Sequence, residues 1–318
     1  MGMTSSGAAG RGANEVRRGH RRRTVARNLA AYGFMAPYLF ILFIFTVGAS
    51  IYGFGLSLFH ANPGIDANVR FIGLDNYRYD FDQLVHNPGQ FPFAIALKNI
   101  VVYAFFVIIA QTTLALILAL LLNLKVPGRS FIRTAIYLPS VTSSVALALI
   151  FLFLYNKTGA INGFLGNFHL PQPDWLQDPT TALPAIMSLN IWSTAPTFMI
   201  MFLAALQGLP EPVYEAARMD GCNSWQILRH ITLPLLRPTL FLVVALGTIG
   251  SLQVFDQIAI LTKGGPLNST LTPVYVIYQY GFQESKFGLG SSMGVILFVL
   301  IFSITLVQRR FIDTTIEY

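Results

Sequence analysis

Charged side chains are scarce in this sequence, and nearly all stand outside its long apolar runs or at their edges. His20, His60, His86, His169 and His230 all fall in tails, loops or the edges of apolar runs. No His-Glu-x-x-His zinc pattern, no Gly-x-Ser-x-Gly elbow and no phosphate-cradling loop ending in Lys-Ser/Thr is present. An intramembrane enzyme would need such a set inside its apolar segments, and the residues for it are missing. Cys222, the single cysteine, excludes an internal disulfide and a Cys-rich metal centre. Midway along one long apolar run sits Gly250–Gln257, which carries Gln253 and Asp256. An Asp at a bilayer centre costs about 2.5–3.5 kcal/mol on insertion scales, so Asp256 is expected to face protein or water. Amides and carboxylates so placed hold a solute by hydrogen bonds. On polarity alone, Gln253 and Asp256 are candidates for that work.

The elements that must carry them are membrane helices. The 318 residues are 54% hydrophobic and only 11% charged, against about 25% in a soluble domain. A span needs about 20 mostly apolar residues, and six segments qualify, at about 32–58, 95–124, 131–154, 181–206, 236–261 and 288–308. Polar residues near Pro139 and Pro196 make the third and fourth the least uniform, so part of each is expected to face something wet. The basic residues supply an orientation. With the N-terminus inside, fifteen Lys and Arg face the cytoplasm and six (Arg70, Arg78, Lys98, Lys157, Lys263, Lys286) face outward, the bias that orients membrane proteins. This accounts for the formal charge of +7 better than nucleic-acid binding does, including the arginines of the first 28 residues. That polar stretch is expected to be disordered. The apolar run after it is too long for a signal-peptide core and reads as an uncleaved first span.

Between the fourth and fifth spans lies the most structured polar segment. Pro210 and Glu211 suit a first helical turn, the run to Asp220 favours helix, and Gly221 can take the left-handed conformation that closes it. Asn223 or Ser224 can cap a second helix, with Gln226 placed for a capping box. In that helix Trp225, Leu228 and Ile231 are expected to share a face, and small Ala216 and Ala217 to lie on the surface of the first. Taken alone, this could be an amphipathic connector lying on the membrane.

The segment Glu215–Pro234 also resembles the cytoplasmic coupling loop of the membrane subunits of ABC importers. Glu215, Ala216, Ala217, Asp220, Gly221, Ile231, Leu233 and Pro234 fit that pattern, with Trp225 near its usual aromatic. Phe71-Ile72-Gly73-Leu74 to Tyr77, Leu138-Pro139, Trp192, the Leu203-to-Pro210 run and Leu261-Thr262-Lys263-Gly264-Gly265-Pro266 followed by Ser269-Thr270 resemble the carbohydrate-type branch. That branch is similar to the larger membrane subunit of the maltose importer. The likeness covers about residues 32–310, without that subunit's large outer domain or its extra N-terminal spans.

The resemblance implies an all-α integral membrane protein with six transmembrane helices in the type I ABC importer permease fold. It implies a basic cytoplasmic tail over 1–30, a permease domain over 31–311 with the coupling loop at 208–234, and a short tail over 312–318. The chain would be no enzyme. It would form half of a translocation path for a sugar or related polyol in a bacterial-type plasma membrane, both termini cytoplasmic. Its partners would be a second permease subunit, two ATP-binding cassette subunits that hold ATP and Mg, and an external solute-binding protein. The chain itself would hold no cofactor. By the same resemblance Ser144, Ser193, Thr194, Thr197 and Ser251 are candidate path residues beside Gln253 and Asp256. Serines and threonines in spans also commonly bond their own helix or glue helices together, and Gln253 and Asp256 can serve as well by pairing with the second subunit. Gly288, Gly290, Ser291, Ser292 and Gly294 read as close helix packing. The aromatic outer loops fit either the headgroup belt or a surface for an external partner. Glycerol phosphate remains an alternative cargo. A channel or secondary transporter is the rival class, and it would show an inverted repeat.

Overall fold

The computed structural model describes residues 32–62, 66–124 and 127–311; the two tails, 1–30 and 312–318, lie outside them. Five helices are long and apolar enough to cross a membrane, or six if one bent pair counts as a single span. The chain divides after Gly55. The described part of the N-terminal unit belongs to one apolar helix, Tyr32–Leu56, with no buried residue and a π-helical stretch at Leu42–Gly48. A helix that is apolar all round suits a membrane span.

The larger unit holds the spans Pro92–Asn123, Ala182–Gln207, Arg237–Leu261 and Phe287–Arg310, each close to its expected bounds. The third apolar run is different. It is two helices, Arg129–Val141 and Ser144–Leu154, bent by 95°. Pro139 lies in the last turn before the bend, and Thr142 and Ser143 have extended backbone. Proline removes a backbone donor and disfavours helix just before it. The single third span expected over 131–154 is therefore a broken one. The fifth is interrupted as well: Arg237–Leu252 and Asp256–Leu261 are separated by Gln253, Val254 and Phe255.

The second and fourth spans pack along most of their length. Ala96, Ala104, Ala115 and Ala119 of one and Ala182, Ala185 and Ala195 of the other are buried among Ile100, Tyr103, Ile186, Leu189, Met199 and Phe202. Lipid offers no hydrophobic drive between helices, so small side chains that permit close van der Waals contact and inter-helix hydrogen bonds do the work.

Outside the spans, Phe59–Asn62 and Asp66–Phe71 form an antiparallel hairpin that leads into the helix Asp75–His86. The inner face of this helix is tied down. Asn76 Nδ2 donates to the carbonyls of Ser57 at 2.8 Å and Phe59 at 3.1 Å, and Ser292 Oγ of the last span donates to Asp80 Oδ2 at 2.6 Å. Gly288 lies against the Phe59 carbonyl and Gly290 against Gly281, so these two glycines and Ser292 serve packing, as expected. Gly294 has open space around it. In the second outer loop Trp175 Nε1 donates to Asn162 Oδ1 at 2.8 Å, and Asn162 Nδ2 reaches the carbonyls of Lys157 and Pro173. Asn76, Asn162 and Trp175 thus brace these two loops from within. Leu74, Phe81 and Val85 remain on the exposed face.

Candidate functional site

Two polar regions stand out, one between the breaks in the third and fifth spans and one in the 208–234 loop. Ser144 begins the helix after the 95° bend, and Asp256 begins the helix after the fifth-span interruption. The Ser144 hydroxyl donates to Asp256 Oδ2, so the two breaks meet at one hydrogen bond. Unwound backbone at membrane depth is tolerated where it is buried in protein or lines a wet cavity. Here the first condition applies. The freed Val254 carbonyl accepts a hydrogen bond from the buried Thr272 Oγ1 at 3.1 Å, while the Gln253 side chain is exposed. The segment carrying Thr272 is fixed in turn. Thr270 Oγ1 bonds the Gly265 carbonyl at 2.6 Å and Thr262 Oγ1 at 2.7 Å, and Asn99 Nδ2 of the second span donates to the carbonyls of Asn268 and Leu271. The Leu261–Thr270 motif is the brace that holds the broken fifth span.

The remaining candidates divide by exposure. Thr197 is exposed and Asp256 half-buried. Thr194 Oγ1 bonds the Asn190 carbonyl at 2.7 Å and Gln111 Oε1 at 2.8 Å. Ser193 and Ser251 are buried, and Ser193 Oγ bonds the Asn190 carbonyl of its own helix. In this conformation those two hydroxyls face protein, because the fourth and fifth spans turn them into the helix bundle. Gln111, unremarked in the sequence, joins the second span to the fourth. Its Nε2 lies against the fifth span at Gly247, where a Cβ would stand 2.5 Å away. Its polarity inside an apolar run was the available signal.

In the loop, the helix Glu211–Met219 closes as expected. Gly221 has φ +78°, and the amides of Gly221 and Cys222 donate to the carbonyls of Arg218 and Ala217. Asn223 and Gln226 form a reciprocal capping box, at 2.9 Å from Gln226 N to Asn223 Oδ1 and 2.8 Å from Asn223 N to Gln226 Oε1. Tyr214 OH and Thr232 Oγ1, 3.2 Å apart, tie the two arms. Two details differ from expectation. Ala217 is buried, leaving Ala216 alone of the pair on the surface. Trp225 is 66% exposed while Leu228 and Ile231 are half-buried. The shared face is lost where a wider π turn at Leu228–Thr232 replaces α-helical spacing. Glu215, Asp220 and Gly221 are exposed, whereas Leu233 and Pro234 are half-buried anchors. Met219, 88% exposed, adds a large apolar side chain that motif reading passed over. A cleft of about 900 Å³ separates this loop from the C-terminal ends of the second and fourth spans.

A bundle of apolar helices, two of them broken around a polar junction, with a capped and exposed loop at one end, describes a membrane protein of several spans. Residues 111–316 match the family described as binding-protein-dependent transport system inner membrane component. The trehalose/maltose transport system permease protein MalF of Thermococcus litoralis is 31% identical over 280 residues, 88% of this chain and 92% of that one. A crystal structure of a bacterial ABC transporter involved in importing the acidic polysaccharide alginate superposes with a TM-score of 0.76 at 26% identity, covering 92% of this chain and 98% of that one. A bacterial alginate ABC transporter in complex with an alginate pentasaccharide-bound periplasmic protein gives 0.74 at 25% identity, covering 92% and 99%. The chain belongs to this family: it is a permease subunit of an ABC importer, in the carbohydrate-uptake branch and with the type I permease fold.

Proposed function

We propose that this chain forms half of the translocation path for a sugar or related polyol, and that the path runs past the junction of the two broken spans. The observation that carries this reading is the meeting of the breaks at Ser144 and Asp256, with Gln253 exposed beside them. Interrupted helices present polar side chains and free backbone groups at membrane depth, which a hydroxyl-rich solute needs and lipid penalises. Thr197, Gln253 and Asp256 are the path residues this reading favours. Thr194 contributes through Gln111, and Ser144 through its hold on Asp256. Ser193 and Ser251 would join the path only after the spans rearrange.

A second, similar permease supplies the other half. Two copies of an ATPase, holding ATP and Mg, dock from the cytoplasm on the loop face of Glu215, Ala216, Met219, Asp220 and Trp225. An external binding protein delivers cargo. The alginate transporter in complex with its periplasmic protein supports that last partner, and the sugar named for the Thermococcus relative supports the cargo class. Closure of the ATPases on ATP is transmitted through the loop and opens the path outward. Both termini lie in the cytoplasm, by the distribution of basic residues.

The test is uptake of labelled maltotriose by proteoliposomes holding the assembled importer. Uptake must depend on ATP and on the binding protein, and the purified chain alone must hydrolyse none. Flux without ATPase subunits would make this a channel or secondary transporter. Membrane-impermeant thiol labelling checks orientation: a cysteine at Thr158 should react from outside and one at Ser224 only from inside. Labelling of position 224 from outside would remove both the orientation and the docking face.

A further inference from the structure

We propose that Asp256 is a charge filter, favouring a neutral, hydroxyl-rich solute and turning away an anionic one such as a uronate chain or glycerol phosphate. The inference rests on the path reading above and narrows its cargo class.

Asp256 is the only acidic residue in any of the apolar spans. The basic residues of the described spans, Lys98, Arg129, Arg133, Arg237, Arg309 and Arg310, all stand within two turns of a span end. Among the described residues no Lys, Arg or His pairs with Asp256. Its carboxylate is held from one side by the Ser144 hydroxyl, which bonds Oδ2. Among the described residues Oδ1 accepts no hydrogen bond, and the residue is half-buried rather than enclosed.

The geometry points to one fixed acceptor with a free oxygen, beside the exposed Gln253. A sugar hydroxyl can donate to that oxygen, and hydrogen bonds to a charged acceptor are the stronger kind. A carboxylate or phosphate on the cargo brings a second negative charge to the same place with no cation among the described residues paired there to offset it, and like charges in a low-dielectric path repel strongly. Ser144 makes the selection positional, because it stops the carboxylate from swinging clear as an anion passes.

The assembled membrane complex, this chain with its partner permease and ATPases in nanodiscs and without binding protein, is examined by saturation-transfer NMR with maltotriose and with trigalacturonate. The wild-type response to trigalacturonate should be weaker by about tenfold or more, the consequence of an unopposed like charge at close range. Asp256→Asn should raise it to the level of maltotriose, and Asp256→Glu, which keeps the charge, should restore the exclusion. In the wild type alone, raising the salt concentration should increase the trigalacturonate response and leave that of maltotriose unchanged, because salt screens charge. This holds the inference open to failure even where Asp256→Asn does not assemble. Equal responses to the two probes in the wild type, or exclusion unchanged in Asp256→Asn, overturn the filter. If Gln253→Leu still abolishes the maltotriose response, the path reading survives that result. If neither probe responds in any nucleotide state, path and filter fall together.

Discussion

The 208–234 loop and the junction of the two broken spans are built by opposite means. In the loop, the bonds that set the geometry join near neighbours: Asn223 with Gln226, Gly221 with Arg218, Cys222 with Ala217. The longest of its ties, Tyr214 to Thr232, crosses 18 residues. At the junction and along the spans the deciding bonds cross far more of the chain. Ser144 and Asp256 are 112 residues apart, Gln111 and Thr194 83, Asn99 and Leu271 172, and Asp80 and Ser292 212. On the proposed function, a surface that presents one shape to a separate ATPase can be rigid by local chemistry, and a path that opens and closes is held by contacts between distant parts of the chain.

That contrast can be broken from either side. The largest effect is expected at the loop. Gly221→Val puts a β-branched residue at φ +78°, where L-residues are penalised by about 1–2 kcal/mol and β-branched ones are outliers. The chain should still insert, while ATPase subunits cease to copurify and uptake per inserted chain falls by about tenfold or more. Normal copurification would mean that the turn does not set the docking face. Next comes the junction brace. Thr272→Val leaves the Val254 carbonyl without its partner, a loss of about 1–3 kcal/mol for a buried group. It should lower the melting temperature of the assembled complex and reduce uptake, with ATPase copurification intact, because the loop is untouched.

A third prediction concerns pH at the outer end. Burial raises the Asp80 carboxyl to about 6, against a smaller opposing effect of the Ser292 hydrogen bond. A carboxyl raised on folding favours the docked state fully below its ordinary value of 3.8 and loses that contribution as pH climbs through about 6. Wild-type thermal stability should therefore decline over that interval, and Asp80→Asn, which cannot ionise, should flatten the profile. Parallel profiles for the two proteins would show that Asp80 ionises without cost. The smallest effect is Asn223→Ala, which removes the capping box. Loss of an N-cap costs about 1 kcal/mol, so the loop should fray locally and ATPase affinity should fall a fewfold, measurable by titration of the ATPase onto the reconstituted permease.

Much of this architecture was legible in the residues. Long apolar runs are their own signal, since a helix in lipid satisfies its backbone internally, and the bounds of four spans in the larger unit follow. The loop was legible because caps, a left-handed glycine and proline act over a few residues: the helix beginning at Glu211, the Gly221 turn and the Asn223–Gln226 box all stand as read. Where the reading slipped inside the loop, at Trp225 and Ala217, the causes were a π turn at Leu228–Thr232 and the direction in which the first helix buries Ala217.

The rest belonged to tertiary structure. Composition marked 131–154 as uneven near Pro139, but a bend of 95° also requires a partner for the freed backbone and for Ser144, and that partner is 112 residues further on. Ser193, Ser251 and Thr197 are alike in chemistry, and only the rotation of packed helices decides that the first two are buried and the third exposed. Asn76 read as part of an outer-loop motif and proves to be a clamp on the Ser57 and Phe59 carbonyls. The sequence by itself determined that the chain spans a membrane and where its rigid loop lies, because hydrophobicity and backbone preference act locally. Which polar groups meet inside the bilayer was decided by packing, because a hydrogen bond between distant residues exists only once the helices that carry them have been brought together.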